Sequence, residues 1–256
     1  MPDDAADHMY LFVPGVFTER YPFYLRDPLA RLSALGLDHV VVPIDTDQAI
    51  ARNVETIRET ILEYARDGRQ VVLVGHSKGG VDIAAALSFH PELRPLVRAM
   101  VALQTPWLGS PIADFVAGRS TLAQGHRLVV ERAFQGDEQA LLDLQESVRH
   151  AFVAQHPWPT EVPTVSLATA LTSRKRSLLS LVDGLLSDKH GPTDGFVPVS
   201  SAILPGSDAV FARDIDHGGI VLPAPAGLSA WLSPADLVVA LIALALERAA
   251  ELDPRA

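Results

Sequence analysis

Short apolar runs alternate along the chain with stretches of helical periodicity. Five runs, rich in β-branched residues, lack the alternation of polar and apolar positions: Met9 to Val13, Val40 to Val42, Val71 to Val74, Met100 to Leu103 and Val165 to Ala168. Such runs are typical of parallel strands that are covered on both faces of a sheet. They predict a mostly parallel central sheet.

Helical patterns fill the intervals between these runs. Ile50, Val54, Ile57 and Ile61 recur at spacings of four, three and four, which places them in one stripe along a helix. Leu25 to Leu35 and Val81 to Phe89 are two further helical stretches. Strands that alternate with helices form βαβ units, so we predict the α/β class, with helices flanking the sheet.

The alternation stops between the fourth and fifth runs. From Thr105 to Pro163 the pattern predicts only helices, at Pro111 to Val116, Thr121 to Phe134 and Glu138 to Phe152. A helical insertion between two core strands can cover a site at the carboxyl edge of the sheet. We therefore predict a cap over approximately residues 105–160, with ordinary crossover helices as the alternative.

Length and composition indicate one domain over residues 1–256. The chain has 256 residues, of which 48% are hydrophobic, enough to bury one substantial core. Its formal net charge of −10 argues against nucleic acids and anionic membranes as partners, because both would be repelled. The absence of cysteine excludes disulfides, a cysteine nucleophile and cysteine-based zinc sites.

The two ends of the chain bear on its location. The acidic start lacks the basic and apolar regions of a secretory signal, so the expected location is cytoplasmic. The apolar run from Leu237 to Leu246 is far shorter than the roughly 20 residues that span a bilayer. Ser233, Pro234 and Asp236 have the pattern of a helix start. We predict a buried terminal helix, or alternatively a helix in a homodimer interface.

A nucleophile motif follows the third apolar run. The segment reads Gly75-His76-Ser77-Lys78-Gly79, with a predicted strand before it and a predicted helix after it. This context is what Gly-x-Ser-x-Gly requires, because the serine must sit on a sharp strand-to-helix turn. The alternative is a glycine-rich turn without chemistry. The backbone N–H of Lys78 would be one oxyanion donor, while its side chain is expected in solvent.

A serine nucleophile needs a base and an acid, which follow it in the chain in this type of site. His217 comes after Ala209 to Phe211, a plausible last strand. Asp194 lies earlier, in an Asp-Gly turn that is also compatible with turn chemistry alone. The alternative base is His190, with Asp183 or Asp188 as its acid. The second oxyanion donor is predicted in the loop from Val13 to Thr18, at the N–H of Val16 or of Phe17.

These segments resemble the bacterial lipases and esterases of the α/β-hydrolase superfamily. Besides the GHSKGG elbow, Thr105 to Pro111 is similar to their Thr-Pro-His-x-Gly-Ser-Pro segment, and Thr193 to Ser201 to their Asn-Asp-Gly-Leu-Val stretch. Asp216-His217 is similar to their histidine loop. The resemblance implies an α/β-hydrolase fold with a lid and the triad Ser77, Asp194 and His217.

Three departures limit this resemblance. Pro14-Gly15 stands where those lipases have His-Gly, although a backbone donor at Val16 would still serve. Gly219 stands where many of them have a calcium-binding aspartate, so no metal site is expected. Most of those lipases are secreted, whereas this sequence shows no signal.

The resulting expectation is a serine hydrolase that cleaves a small hydrophobic carboxylic ester through an acyl-enzyme on Ser77, without a cofactor. Phe17, Trp107 and Leu108 are expected to contact the substrate. An acyltransferase, a thioesterase or a polyester depolymerase would use the same triad. A catalytically silent hydrolase fold that serves in binding is the alternative from another class.

Overall fold

A six-stranded parallel sheet forms the centre of the molecule. The computed structural model describes residues 1–116, 138–171, 189–223 and 233–252. Its strands are β1 (Met9–Val13), β2 (His39–Val41), β3 (Val71–His76), β4 (Val97–Leu103), β5 (Thr164–Ala170) and β6 (Asp208–Arg213). Their order across the sheet is β2-β1-β3-β4-β5-β6, so β3 and β4 lie at the centre. The predicted strands and their parallel arrangement are confirmed.

Helices cover both faces of this sheet. They are α1 (Arg26–Ala34), α2 (Ile50–Tyr64), α3 (Lys78–Phe89), α4 (Pro111–Val116), α5 (Glu138–Leu142), α6 (Glu146–Gln155), α7 (Val199–Ala202) and α8 (Pro234–Glu251). The first three match the predicted helical stretches, except that α3 begins at Lys78, directly after the serine.

Alternate residues of each central strand enter opposite layers of the core. On β1, Leu11 and Val13 pack with the apolar side chains of α2 and α3. Tyr10 and Phe12 pack on the other side, in the cluster that contains the buried face of α8. Fully burying each such large side chain contributes about 1.5–3 kcal/mol. Since both faces are covered, the strands need apolar residues at every position, which explains the unbroken runs.

The C-terminal helix α8 is an integral part of this core. The Ser233 hydroxyl accepts the backbone N–H of Asp236 (3.1 Å), which caps the helix start. Leu241 and Ile242 are buried in the same cluster as β1 and β3. The prediction of a buried terminal helix is confirmed, and a homodimer stays a prediction. Over the described ranges, no helix combines the length and apolar character that crossing a membrane requires.

The interval between β4 and β5, where the cap was predicted, contains three helices in its described part. They are α4, α5 and α6, and the described part of this interval contains no strand. The predicted helix from Thr121 to Phe134 lies outside the described residues. The helical character of the flanking parts agrees with the sequence pattern, and the cap itself stays a prediction.

Candidate active site

Ser77 occupies the sharp turn between β3 and α3. Its backbone has φ 53° and ψ −125°, a strained conformation for a residue with a side chain. The turn also needs its glycines. A Cβ added to Gly79 would lie 2.1 Å from the Val13 oxygen, and one added to Gly80 would lie 2.0 Å from Thr105 Oγ1. The local sequence therefore allows β3, α3 and the loop after β1 to approach closely around the serine.

The three predicted triad residues come together at the carboxyl edge of the sheet. Ser77 Oγ lies 2.9 Å from His217 Nε2, and His217 Nδ1 lies 2.9 Å from Asp194 Oδ2. A carboxylate can only accept hydrogen bonds, so Nδ1–H of His217 donates to Asp194 and Nε2 is left to accept the serine hydroxyl. This is the arrangement that removes a proton from a serine during nucleophilic attack.

The Asp194 carboxylate is buried, with 1% of the residue exposed, and its loop holds it in place. Its Oδ1 accepts the backbone N–H groups of Phe196 (2.9 Å) and Val197 (2.8 Å). These bonds leave Oδ2 directed at His217, whose own backbone N–H donates to the Asp194 main-chain oxygen (3.1 Å). Gly195 adopts φ 101°, which explains the glycine of this turn. The acid is thus fixed by backbone groups on both sides.

The loop after β1 passes next to the nucleophile. A Cβ on Gly15 would lie 3.1 Å from Ser77 Cβ. The N–H groups of Gly15 and Thr18 donate to the side chains of Tyr24 and Thr46. Val16 and Phe17, the two candidate oxyanion donors, lie between them, and both residues line the same cavity as Ser77.

The Lys78 side chain is not in solvent, contrary to expectation. It is 1% exposed, and its Nζ donates to both oxygens of Asp82 at 2.8 and 2.9 Å. Asn53 also donates to Asp82 (3.1 Å). Arg149 of α6 lies nearby, and burial lowers its pKa to about 10, an effect that Asp82 and Asp143 oppose. The Lys78 cation can be buried because the Asp82 carboxylate, which Asn53 also contacts, pairs with it. The Lys78 N–H, at the first position of α3, has no acceptor within the helix and remains the candidate oxyanion donor.

A cavity of about 330 Å³ opens over the serine. Its walls are largely apolar and include Ile112 and Ala113 of α4, Leu144, and Leu222. Phe17 also lines the cavity, and its contact with a substrate stays a prediction.

Two predicted substrate contacts lie elsewhere. Trp107 is 1% exposed and packs in the core against Trp158 (ring centroids 5.7 Å apart). Leu108 uses its backbone N–H to bond Ser201 Oγ (3.2 Å), and neither residue lines the cavity. The Thr105 to Pro111 segment instead supports the aspartate loop, since Ser110 Oγ donates to the Phe196 oxygen (2.6 Å). Within this segment, Pro106 and Ser110 line the cavity.

The alternative base is not brought to the serine. His190 Nδ1 lies 3.6 Å from Glu146 Oε1 of α6, whereas Asp183 and Asp188 lie outside the described residues. In the four described ranges, no group of three or more histidine or acidic side chains is arranged to hold a metal ion.

Sequence reasoning missed a second polar network next to the triad. His76 Nδ1 lies 2.8 Å from the Tyr24 hydroxyl, and its Nε2 lies 3.0 Å from the His217 main-chain oxygen and 3.3 Å from Gln104 Oε1. Gln104 Nε2 donates to the main-chain oxygen of Asp216 (2.9 Å). Burial, followed by the charge of His217, lowers the pKa of His76 to about 3. The signal in the sequence was a polar residue at the carboxyl end of each central strand, His76 at the end of β3 and Gln104 directly after β4.

Solved structures similar to this chain are esterases and lipases. The metagenomic carboxyl esterase MGS0156 is 25% identical, with a TM-score of 0.77 over 95% of this chain and 76% of its own. The mature Bacillus licheniformis lipase BlEst2 is 25% identical, with a TM-score of 0.70 over 85% of this chain and 87% of its own. Lipase 1 from Pelosinus fermentans, at 13% identity, has a TM-score of 0.62 over 94% and 99% of the two chains and shares the fold alone. No protein-family model and no curated protein matches the chain.

The sheet, the flanking helices and these neighbours define an α/β-hydrolase. MGS0156 and BlEst2, each 25% identical to this chain, are a carboxyl esterase and a lipase, which supports an ester hydrolase.

Proposed function

We propose that this chain is a serine hydrolase that cleaves carboxylic esters through an acyl-enzyme on Ser77. The observation that carries the proposal is the unbroken line of contacts from Ser77 Oγ to His217 to the buried Asp194, each 2.9 Å long. The Ser77 end of this line lies in a cavity with largely apolar walls, which favours an ester with a hydrophobic acyl or alcohol group.

The first half of the reaction forms the acyl-enzyme. Ser77 Oγ attacks the ester carbonyl carbon while its proton moves to His217 Nε2, and the carbonyl oxygen becomes an oxyanion. The N–H groups of Lys78 and of Val16 or Phe17 would stabilise that charge. Asp194 stabilises the imidazolium and keeps its orientation. The intermediate collapses as the C–O bond to the alcohol breaks, and the departing oxygen takes the proton from His217.

The second half returns the enzyme to its starting state. A water molecule gives a proton to His217 Nε2 and attacks the acyl carbon, and the resulting intermediate releases the carboxylic acid as Ser77 Oγ recovers the proton. Since each proton moves between Ser77, His217, substrate and water, the described residues account for every step.

The test compares the wild-type chain with Ser77→Ala on p-nitrophenyl esters of increasing acyl length. We expect the wild type to hydrolyse them and Ser77→Ala to lose about a thousandfold or more in kcat. Full turnover by Ser77→Ala would refute the proposal. Thioesters, polyesters and added alcohol acceptors in the same panel distinguish water from other acceptors and esters from related acyl compounds.

A further inference from the structure

His76 stands at the variable position of the nucleophile motif, where the proposed reaction assigns no role. Its imidazole is nevertheless buried beside the triad, with its ring centroid 5.1 Å from that of His217. It does not line up with the proton path, because its two nitrogens face Tyr24 and the main chain rather than the serine hydroxyl.

The contacts of His76 determine which nitrogen carries the hydrogen. Both neighbours of Nε2, the His217 main-chain oxygen and Gln104 Oε1, are acceptors, so Nε2 is protonated. The amide of Gln104 is oriented by its other end, where Nε2 donates to the Asp216 oxygen. His76 Nδ1 is then an acceptor and receives the hydroxyl hydrogen of Tyr24.

The chain of hydrogen bonds continues from Tyr24 to the loop after β1. The Tyr24 oxygen accepts the N–H of Gly15 at 3.0 Å. One continuous path therefore runs from Gly15 through Tyr24 and His76 to the main chain of His217. It connects the loop of the candidate oxyanion donors with the loop that carries His217.

Backbone strain accompanies this path. Gln104 has φ 52° although it is not a glycine, and its side chain is fully buried between the Asp216 main-chain oxygen and His76 Nε2. Such strain persists only where surrounding contacts fix a conformation, and it concentrates at functional sites. Gln104 donates to the main-chain oxygen of Asp216 and His76 to that of His217, so the two side chains hold two successive carbonyl groups of this loop.

We propose that His76 and Tyr24 are positioning residues. They hold the loop after β1, which carries Val16 and Phe17, and the loop that carries His217 in fixed positions relative to Ser77. The inference rests on the proposed ester hydrolysis. When the serine attacks, its proton moves to His217 and an oxyanion forms on the substrate, so both loops must be correctly placed at the same time. Misplacement by about 1 Å can reduce a rate about a hundredfold.

The experiment measures kcat and KM for Tyr24→Phe, His76→Phe and the double variant on one p-nitrophenyl ester. Rates are divided by the concentration of sites that an alkyl fluorophosphonate titrates, so unfolded protein is not counted. We expect kcat to fall about tenfold in Tyr24→Phe and about a hundredfold in His76→Phe, with KM within about twofold, because neither side chain belongs to the proposed proton path. The double variant should be no slower than His76→Phe, since both changes cut one path.

Two variants separate positioning from general stability. Tyr10→Phe removes another buried tyrosine hydroxyl, which donates to the Ala5 oxygen (2.8 Å) far from the site, and it should lower Tm without changing kcat per titrated site. His76→Gln can retain a donor near the Nε2 position and should recover part of the rate lost in His76→Phe.

The possible failures are distinguishable. If the fluorophosphonate does not label wild-type Ser77, the proposed function fails. If it labels Ser77 but kcat per site is unchanged in Tyr24→Phe and in His76→Phe, or if the two losses multiply in the double variant, the positioning role is refuted while the hydrolase remains.

Discussion

Removal of the buried His76 should change how the stability of the protein depends on pH. In the folded chain the pKa of His76 is lowered to about 3 by burial, whereas the unfolded chain has the ordinary value of 6.5. Between these values the unfolded state binds the proton and the folded state does not. The folded state is therefore fully stable above pH 6.5, and loses stability as pH falls towards about 3.

The size of this effect follows from the two pKa values. One titrating group changes the free energy of unfolding by at most about 1.4 kcal/mol per pH unit. Integration from about pH 7 to about pH 5 gives a loss of about 2 kcal/mol from His76 alone. Burial also lowers the pKa of His8, but that group is present in both proteins, so its contribution largely cancels in a comparison.

Urea unfolding of the wild type and of His76→Gln at several pH values between about 5 and 7 measures this difference. The free energy of unfolding of the wild type should fall about 2 kcal/mol more than that of the variant over this interval. The comparison uses only the slope of stability against pH, so a difference in stability at neutral pH does not affect it. Parallel pH dependences would show that His76 is not held neutral by burial and would refute the reasoning.

Three further changes test the packing and charges around the serine. Gly79→Ala should remove ester hydrolysis and lower Tm, because its Cβ would overlap the backbone at the end of β1. Gly36→Ala has open space around its Cβ but a φ of 70°, so it should lower Tm and keep the activity. Hydrolysis assays and thermal melts check both. Asp194→Asn should reduce kcat about 10⁴-fold with little change in KM, because an amide favours the wrong tautomer of His217. Steady-state kinetics measure this, and a loss of less than about tenfold would contradict the prediction. Lys78→Met should lower the free energy of unfolding by about 3–5 kcal/mol, because it leaves Asp82 buried without its paired cation. The double variant Lys78→Met with Asp82→Leu should recover much of this loss, and urea unfolding measures both.

The strands, and the meeting of Ser77, Asp194 and His217, could be predicted because each has a local signature. The strands of a sheet covered on both faces are unbroken apolar runs, and the β3–Ser77–α3 turn has fixed glycine positions. Asp194 and His217 follow later strands, and parallel strands bring their carboxyl ends to one edge of the sheet.

Other features depend on contacts between distant segments. Lys78 was predicted in solvent, where lysine usually lies. Its burial depends on the ion pair with Asp82, which Asn53 also contacts. Trp107 was predicted to contact the substrate, but the chain turns its ring into the core. The link from Tyr24 to His76 spans 52 positions and has no pattern in the sequence.

The identity of the nucleophile is tested most directly by covalent labelling. The wild-type chain is treated with an alkyl fluorophosphonate, digested, and the modified peptide sequenced by mass spectrometry. We predict one adduct per chain, on Ser77, formed together with complete loss of ester hydrolysis and absent from Ser77→Ala. An adduct on another residue, or ester turnover that persists after Ser77 is fully labelled, would contradict it.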